Sequence, residues 1–258
     1  MNMCKSVLLI ALDTLRRVRR RRHLSVLLLV ALGVAAGLGA VEFFGSGRYQ
    51  QVFFHIMMLV LPLLSAAAAV LSTFWILPQQ IADRTLLLML ARPVRRGAVV
   101  VGVFAGAGAM SLLAYLVFSG LFLAALAWRH VEFPPALLHA LTLLAVQVLF
   151  FTALALLLSL LTTPAMAATI CLLYYFIGQV IQPALQPVLA QSPWAARLPA
   201  WVLLSATPHL NYFNLTVPVV HLWPAVSWLS LAPTIAYGLG WTALLVVLAS
   251  WRFARCEL

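Results

Sequence analysis

The feature that most constrains this chain is a run from Phe133 to Ala196 that contains no Asp, Glu, Lys or Arg. A helix crosses the roughly 30 Å hydrocarbon core of a bilayer with about 20 apolar residues, so this run is too long for one crossing. Over the whole chain 65% of residues are hydrophobic and only 8% are charged, whereas about a quarter of a soluble domain is charged. The sequence therefore predicts an all-α, polytopic membrane protein.

Apolar segments separated by charged or proline-containing turns predict a single domain, 1–258, with about six transmembrane helices. Thr162, Thr163 and Pro164 break the charge-free run near its middle and divide it into a helical hairpin. The segment 190–228 contains repeated Pro and Trp residues, which is typical of short helices at the outer membrane surface. The predicted crossings are 24–41, 52–78, 97–128, 136–161, 165–189 and 229–251.

The net charge of +11 is explained by the positions of the basic residues. Thirteen of the sixteen Lys and Arg lie in three places, which are 5–22, 84–96 and the pair Arg252 and Arg255. Loops with excess Lys and Arg stay on the cytoplasmic side, so this distribution predicts that both termini are cytoplasmic. Attraction to anionic lipid headgroups accounts for the charge, and no nucleic-acid partner is needed.

The first 23 residues predict an amphipathic elbow helix at the membrane surface that leads into the first crossing. Its basic residues are Arg16, Arg17, Arg19, Arg20, Arg21 and Arg22, and apolar residues at helical spacing precede them. A signal peptide is the alternative interpretation, because an apolar segment with small residues follows the basic run. Cleavage would leave five crossings and remove the charge asymmetry, which favours the elbow helix.

The stretch 79–96, "QQIADRTLLLMLARPVRR", interrupts the apolar sequence between the second and third crossings. As a short helix over 79–91 it would place Gln80, Asp83, Arg84 and Leu87 on one side. Pro93 would end this helix. One interpretation is an ordinary positively charged inner loop. The other is a segment that receives movement from a cytoplasmic partner and passes it to the two helices it joins.

The string "RTLLLMLARPVRRGAVVVG" resembles the cytoplasmic coupling segment of type-two ABC transporter permeases. The residues that match that family's pattern in order are Thr85, Leu86, Leu90, Ala91, Pro93, Val94, Arg95 and Arg96, followed by Gly102. The basic start of the chain, the turn "LSLLTTPAMAATICLLYYFIGQ" and the outer string "TPHLNYFNLTVPVVH" are also similar to family features. Gln80 and Val103 depart from the pattern, since family members often carry charged residues there.

This resemblance implies a permease subunit that couples ATP hydrolysis by a separate P-loop ATPase to substrate movement across a bacterial or archaeal cytoplasmic membrane, with export as the expected direction. It implies two ATPase chains and a second permease chain, identical or different, with ATP and Mg²⁺ bound by the ATPases. The chain has no G-x-x-x-x-G-K-[S/T] sequence, so we expect a transport subunit and not an enzyme. The implied coupling residues are Gln80, Asp83, Arg84, Thr85, Leu87, Arg92, Pro93, Arg95 and Arg96.

An alternative function is a polytopic enzyme or assembly factor that acts on lipid-linked substrates at the outer face. His209 and His221 in the outer segment are its candidate residues, but the sequence offers no accompanying nucleophile and base. We expect no metal site, because His55, Met57 and Met58 have no second cluster of ligands. The glycines of "GVFAGAG", 102–108, predict close helix packing and not nucleotide binding.

Overall fold

The structure is a computed structural model, which describes residues 3–19, 22–40, 49–82, 96–130, 132–181, 208–224 and 227–255. Helices and their connecting turns make up these segments, and none of the described residues lies in a β-strand. Several of the helices are long and apolar. The prediction of an all-α, polytopic membrane protein is confirmed.

Nine α-helices are present in the described residues, and we number them in chain order. They are α1 (Met3–Arg19), α2 (Arg22–Ala40), α3 (Tyr49–Thr73), α4 (Ile76–Ala82), α5 (Arg96–Trp128), α6 (Ala136–Leu161), α7 (Pro164–Phe176), α8 (Thr216–Val220) and α9 (Trp228–Ala254). α7 continues into a short π-helix, Ile177–Ile181, and a 3-10 helix occupies Leu210–Phe213.

Four helical stretches among the described residues are long and apolar enough to cross a membrane. They are Gln50–Gln80, which combines α3 and α4, and the helices α5, α6 and α9. Shorter apolar stretches, Leu24–Gly37 and Pro164–Gln179, lie in α2 and α7. The predicted crossing 165–189 extends past the described residues, so the number of six crossings stays a prediction.

The predicted second crossing is interrupted before its end, because α3 stops at Thr73 and α4 begins at Ile76. Pro78 explains the break. Its ring has no N–H to donate to the carbonyl of Phe74 and would clash with that carbonyl in a continuous α-helix. Pro is tolerated in the first turn of a new helix, which is where Pro78 lies in α4. The helix predicted to begin at 79 therefore begins three residues earlier, and its continuation past Ala82 lies outside the described residues.

The sharp turn between α6 and α7 forms where the sequence predicts it. The backbone N–H and the hydroxyl of Thr162 both donate to the carbonyl oxygen of Leu158, each at 2.9 Å, and satisfy an orphaned acceptor at the end of α6. Pro164 then begins α7 at a position where its missing N–H costs nothing.

The described part of the predicted outer segment packs against the helix bundle. Leu210 and Phe213 of the 3-10 helix are buried, with exposed fractions of 0% and 2%. Two glycines permit this close contact. A Cβ atom on Gly178 would lie 2.5 Å from Leu210 Cδ1, and one on Gly238 would lie 2.8 Å from the Phe213 ring. Short helices are therefore present in 208–224, and residues 190–207 lie outside the described part.

Candidate functional site at the coupling end of the bundle

The end of the bundle where α4 ends and α5 begins, here called the coupling end, is held by one apolar cluster that joins five helices. We call it the coupling-end cluster. Its buried members are Ile10 and Val18 of α1, Ile76 and Leu77 of α4, Val99, Val100, Val103, Ala107 and Met110 of α5, Leu156 of α6, and Ala249 and Phe253 of α9. Each has an exposed fraction of 8% or less. Such a close-packed contact transmits displacement because it has little free volume to absorb it.

The chain enters this cluster on both sides of the predicted coupling segment, 79–96. Leu77 lies two residues before the segment and is 0% exposed. Val99 lies three residues after it and is also 0% exposed. Residues 83–95 themselves lie outside the described part of the chain. The two helices that the segment joins are therefore both packed in this cluster.

α1 packs directly along the first half of α5. A Cβ atom on Gly102 would lie 2.8 Å from Ile10 Cβ, and one on Gly106 would lie 2.5 Å from the carbonyl oxygen of Ala11 and 2.7 Å from Thr14 Cβ. Residues four apart on α1 thus meet glycines four apart on α5, and the two helices run in the same direction. This is the small-residue packing that the glycines predict, and it is confirmed.

α1 has one buried side, one exposed apolar side and one polar side. Ile10, Thr14 and Val18, spaced by four residues, form the buried side, whereas Leu8 and Leu12 are 61% and 45% exposed. The polar side carries Asp13, Arg16 and Arg17. Arg17 Nε donates to a carboxylate oxygen of Asp13 at 2.7 Å, one helical turn away. The helix is therefore amphipathic, and it also has a dedicated protein-packing side.

A hydroxyl pair connects α3 with α5 within the bundle. The Ser72 and Ser111 hydroxyl oxygens lie 2.8 Å apart, while Ser111 also approaches the carbonyl of Ala107 at 2.8 Å. Both serines are almost fully buried. The pair is one helical turn past Ala107, so α3 is linked to α5 close to the place where α1 also contacts it.

Comparison with known families decides what kind of protein has this arrangement. The family described as "ABC-2 family transporter protein" matches residues 31–258. The chain belongs to this family. It is a membrane-spanning permease subunit of an ABC transporter, a class of subunit that lacks its own ATPase site and works with an ATPase subunit. No curated protein matches the chain.

Of the predicted coupling residues of this permease, the structure describes two, Gln80 and Arg96. Gln80 lies in α4 and is only 2% exposed. Arg96 is the first residue of α5. The other predicted coupling residues, which are Asp83, Arg84, Thr85, Leu87, Arg92, Pro93 and Arg95, lie outside the described residues.

Burial explains the two departures from the family pattern. Gln80 and Val103 stand where family members often carry charges, and they are 2% and 0% exposed. A buried charge without a partner is strongly unfavourable, so neutral side chains suit these two positions. Both departures therefore lie at buried positions of the described chain.

The predicted elbow residues are only partly described. Arg16 is exposed, Arg17 pairs with Asp13, Arg19 ends α1 and Arg22 begins α2. Arg20 and Arg21 lie outside the described residues. Sequence reasoning missed the packing partner of α1. The G-x-x-x-G spacing of Gly102 and Gly106 predicts close helix packing, but it does not identify the helix that packs there.

The outer histidines do not form a catalytic arrangement with the described residues. The His209 ring stacks on Tyr212 with centroids 5.4 Å apart, and the backbone N–H of His209 donates to the Tyr237 hydroxyl at 3.0 Å. His221 is exposed at the end of α8. The described residues contain no group of three His, Cys, Asp or Glu that could hold a metal ion. No contact at either histidine favours the alternative enzymatic function.

Proposed function

We propose that this permease couples ATP hydrolysis by a separate P-loop ATPase to substrate export, and that segment 79–96 receives the movement of the ATPase. ATP and Mg²⁺ bind to the ATPase chains. The working complex contains a second permease chain, identical or different, in a bacterial or archaeal cytoplasmic membrane. The coupling end and both termini face the cytoplasm, as the positive-inside distribution favours.

The observation that supports this proposal most strongly is the position of Leu77 and Val99 in one cluster. A surface loop between two helices does not have to be anchored at both ends in a shared core. Here the cluster also contains Ile10, Leu156 and Phe253, so the packing of α1, α6 and α9 changes if α4 or the start of α5 moves. A segment with this attachment is suited to move several membrane helices together.

The polar side of the segment supplies the proposed contact with the ATPase. Leu87 would insert into an apolar pocket of the ATPase, while Asp83 and Arg84 would pair with charges at its edge, since buried apolar anchors surrounded by polar contacts dominate such interfaces. Binding and release of ATP by the partner would then favour different arrangements of the two attached helices.

The test is purification of the intact chain from its native membrane under conditions that preserve complexes. Wild type is compared with Leu87→Glu, Leu87→Met and Glu132→Gln, and P-loop ATPases are identified by mass spectrometry. Glu132 is an exposed residue in the turn between α5 and α6, at the opposite end of the bundle. Its substitution changes one charge without touching the coupling end.

We expect the ATPase to accompany wild type, Leu87→Met and Glu132→Gln, and to be lost from Leu87→Glu because a carboxylate cannot enter an apolar pocket. Equal folding of the four proteins is checked by their melting temperatures. The proposal fails if no ATPase accompanies wild type. The assignment to segment 79–96 fails if Leu87→Glu retains the ATPase as well as Leu87→Met does.

A further inference from the structure

Gln147 occupies an unusual position in the middle of the bundle. It lies eleven residues from the start of α6, about 16 Å along the helix axis, which places it near the centre of a bilayer. The residue is 2% exposed. Neither its Nε2 atom nor its Oε1 atom has a hydrogen-bond partner among the described residues. A buried polar atom left in this state destabilises the folded protein, so such groups are rare in native proteins.

A narrow void adjoins the carboxamide between α3 and α6. The residues that line it together with Gln147 are Pro62, Ser65, Ala66, Leu144, Val148 and Phe151. This void is too tight for a water molecule in the present packing. The Ser65 hydroxyl donates to the carbonyl of Leu61 at 2.6 Å and keeps an acceptor position available beside the void.

A second void lies beyond Leu144, toward the end of the bundle opposite the coupling end. It is lined by Met58, Pro62 and Leu144 and by the polar residues Gln179, Asn214 and Thr216. Its volume is about 10 Å³, close to the minimum that one water molecule needs. Pro62 has no N–H, so the Met58 carbonyl lacks its usual helical donor and adds an acceptor to the polar groups around this void.

Pro62 and Leu144 line both voids, so these two residues separate them. We propose that Gln147 is a water-binding site in the middle of the bundle. Water reaches it from the second void when α3 and α6 move apart at Pro62 and Leu144. The bound water then donates to Oε1 and accepts from Nε2, and these hydrogen bonds offset the packing free energy that the helices give up when they separate. The bundle thus has a dry packing and a hydrated packing that differ little in free energy.

The experiment is hydroxyl-radical footprinting of the purified chain in lipid nanodiscs, because bound water produces radicals that oxidise adjacent side chains. Met58 lines the second void and is 6% exposed, whereas Met110 in the coupling-end cluster is 8% exposed and lines neither void. The two methionines are thus matched in burial. We expect Met58 to be oxidised several-fold faster than Met110 in the wild-type protein.

The variant that tests the carboxamide is Gln147→Leu, which has similar volume and no polar atoms. We expect it to slow the oxidation of Met58 several-fold and to raise the melting temperature by several degrees, because the dry packing no longer leaves a buried polar group unsatisfied. The matched control is Thr152→Val on the same helix. The Thr152 hydroxyl is buried but already donates to the carbonyl of Val148 at 2.8 Å, so Met58 oxidation should not change.

Two results would overturn the proposal. Equal oxidation of Met58 and Met110 in wild type means that no water reaches this region, and this comparison holds even if a variant does not fold. Unchanged Met58 oxidation in a folded Gln147→Leu protein means that the carboxamide does not hold the water. Both measurements use the permease without its ATPase, so they are independent of the proposed coupling function.

Discussion

The contact between α1 and α5 makes a direct prediction for Gly106→Ala. The new Cβ atom would lie 2.5 Å from the carbonyl oxygen of Ala11, whereas an ordinary van der Waals contact needs at least 3.4 Å. The obstructing atom belongs to the backbone, so a side-chain rotation cannot relieve the clash. The whole of α1 must move away from α5 by roughly one ångström, and this loosens the packing of Ile10 and Val18 in the coupling-end cluster.

The expected change in the free energy of unfolding of Gly106→Ala is the sum of two opposing effects. Overpacking of this kind costs about 1–3 kcal/mol. Replacing Gly by Ala inside a helix recovers about 1 kcal/mol. Gly120→Ala on the same helix is the matched control, because nothing lies within 4 Å of its added Cβ atom and only the favourable term applies. The two variants should therefore differ by about 1–3 kcal/mol, which corresponds to about 2–12 °C in melting temperature for a chain of this size.

The assay is thermal unfolding of both variants in the same detergent, combined with limited trypsin digestion. We expect Gly106→Ala to melt below Gly120→Ala and to be cut faster at the arginines of 16–22, since α1 is less firmly held. A melting temperature of Gly106→Ala equal to or above that of Gly120→Ala would show that α1 does not rest on this glycine. The close contact between α1 and α5 would then be wrong.

Two further predictions concern the two ends of the chain. Gly238→Ala should lower the melting temperature relative to Gly240→Ala, because its Cβ atom would lie 2.5 Å from Val146 Cγ1 and 2.8 Å from the Phe213 ring, whereas nothing lies within 4 Å of one on Gly240. Equal melting temperatures would contradict the close packing of Gly238 against these two residues. Asp13→Asn should leave the melting temperature within about 1 °C of wild type, because the pair with Arg17 is partly exposed and such i,i+4 pairs contribute only about 0.3–0.5 kcal/mol. A large loss of stability would mean that the carboxylate has a further role.

The positions of the long helices could be predicted well from sequence. The predicted segments 97–128 and 136–161 agree with α5 and α6 to within one residue, because each is a long apolar stretch with a clear charged or proline boundary. The sequence places the end of the second crossing at Pro78, whereas α3 ends at Thr73 and α4 begins at Ile76. Hydrophobicity averaged over a whole crossing does not reveal an interruption of two residues. The missing N–H of proline does reveal it, because one backbone hydrogen bond of the helix cannot form.

The packing of the helices could not be predicted in the same way. In α1 the apolar residues at helical spacing include Leu8 and Leu12, which are largely exposed, while the side that contacts the protein contains the polar Thr14. In a soluble protein the apolar side of a helix is the buried side. In a membrane protein, apolar side chains are favoured both against lipid and against other helices. Hydrophobic periodicity therefore cannot distinguish the lipid-facing side of a helix from its protein-facing side. For the same reason the periodicity places Gln80 on a partner-facing side, whereas the structure buries it.

Close packing at the coupling end and incomplete packing near Pro62 differ along α3 and α4, and this difference bears on how the permease changes shape. At the coupling end the cluster residues are almost fully buried, so a displacement of Leu77 passes to α5, α6 and α9 with little loss. At Pro62 the helix lacks one backbone hydrogen bond and borders the two voids. A helix driven at a close-packed end bends where its hydrogen bonding is incomplete and its neighbours leave space. Under the proposed coupling function, movement received by α4 would concentrate at the break between Thr73 and Ile76 and at Pro62, where the proposed hydration would lower the cost of separating α3 from α6.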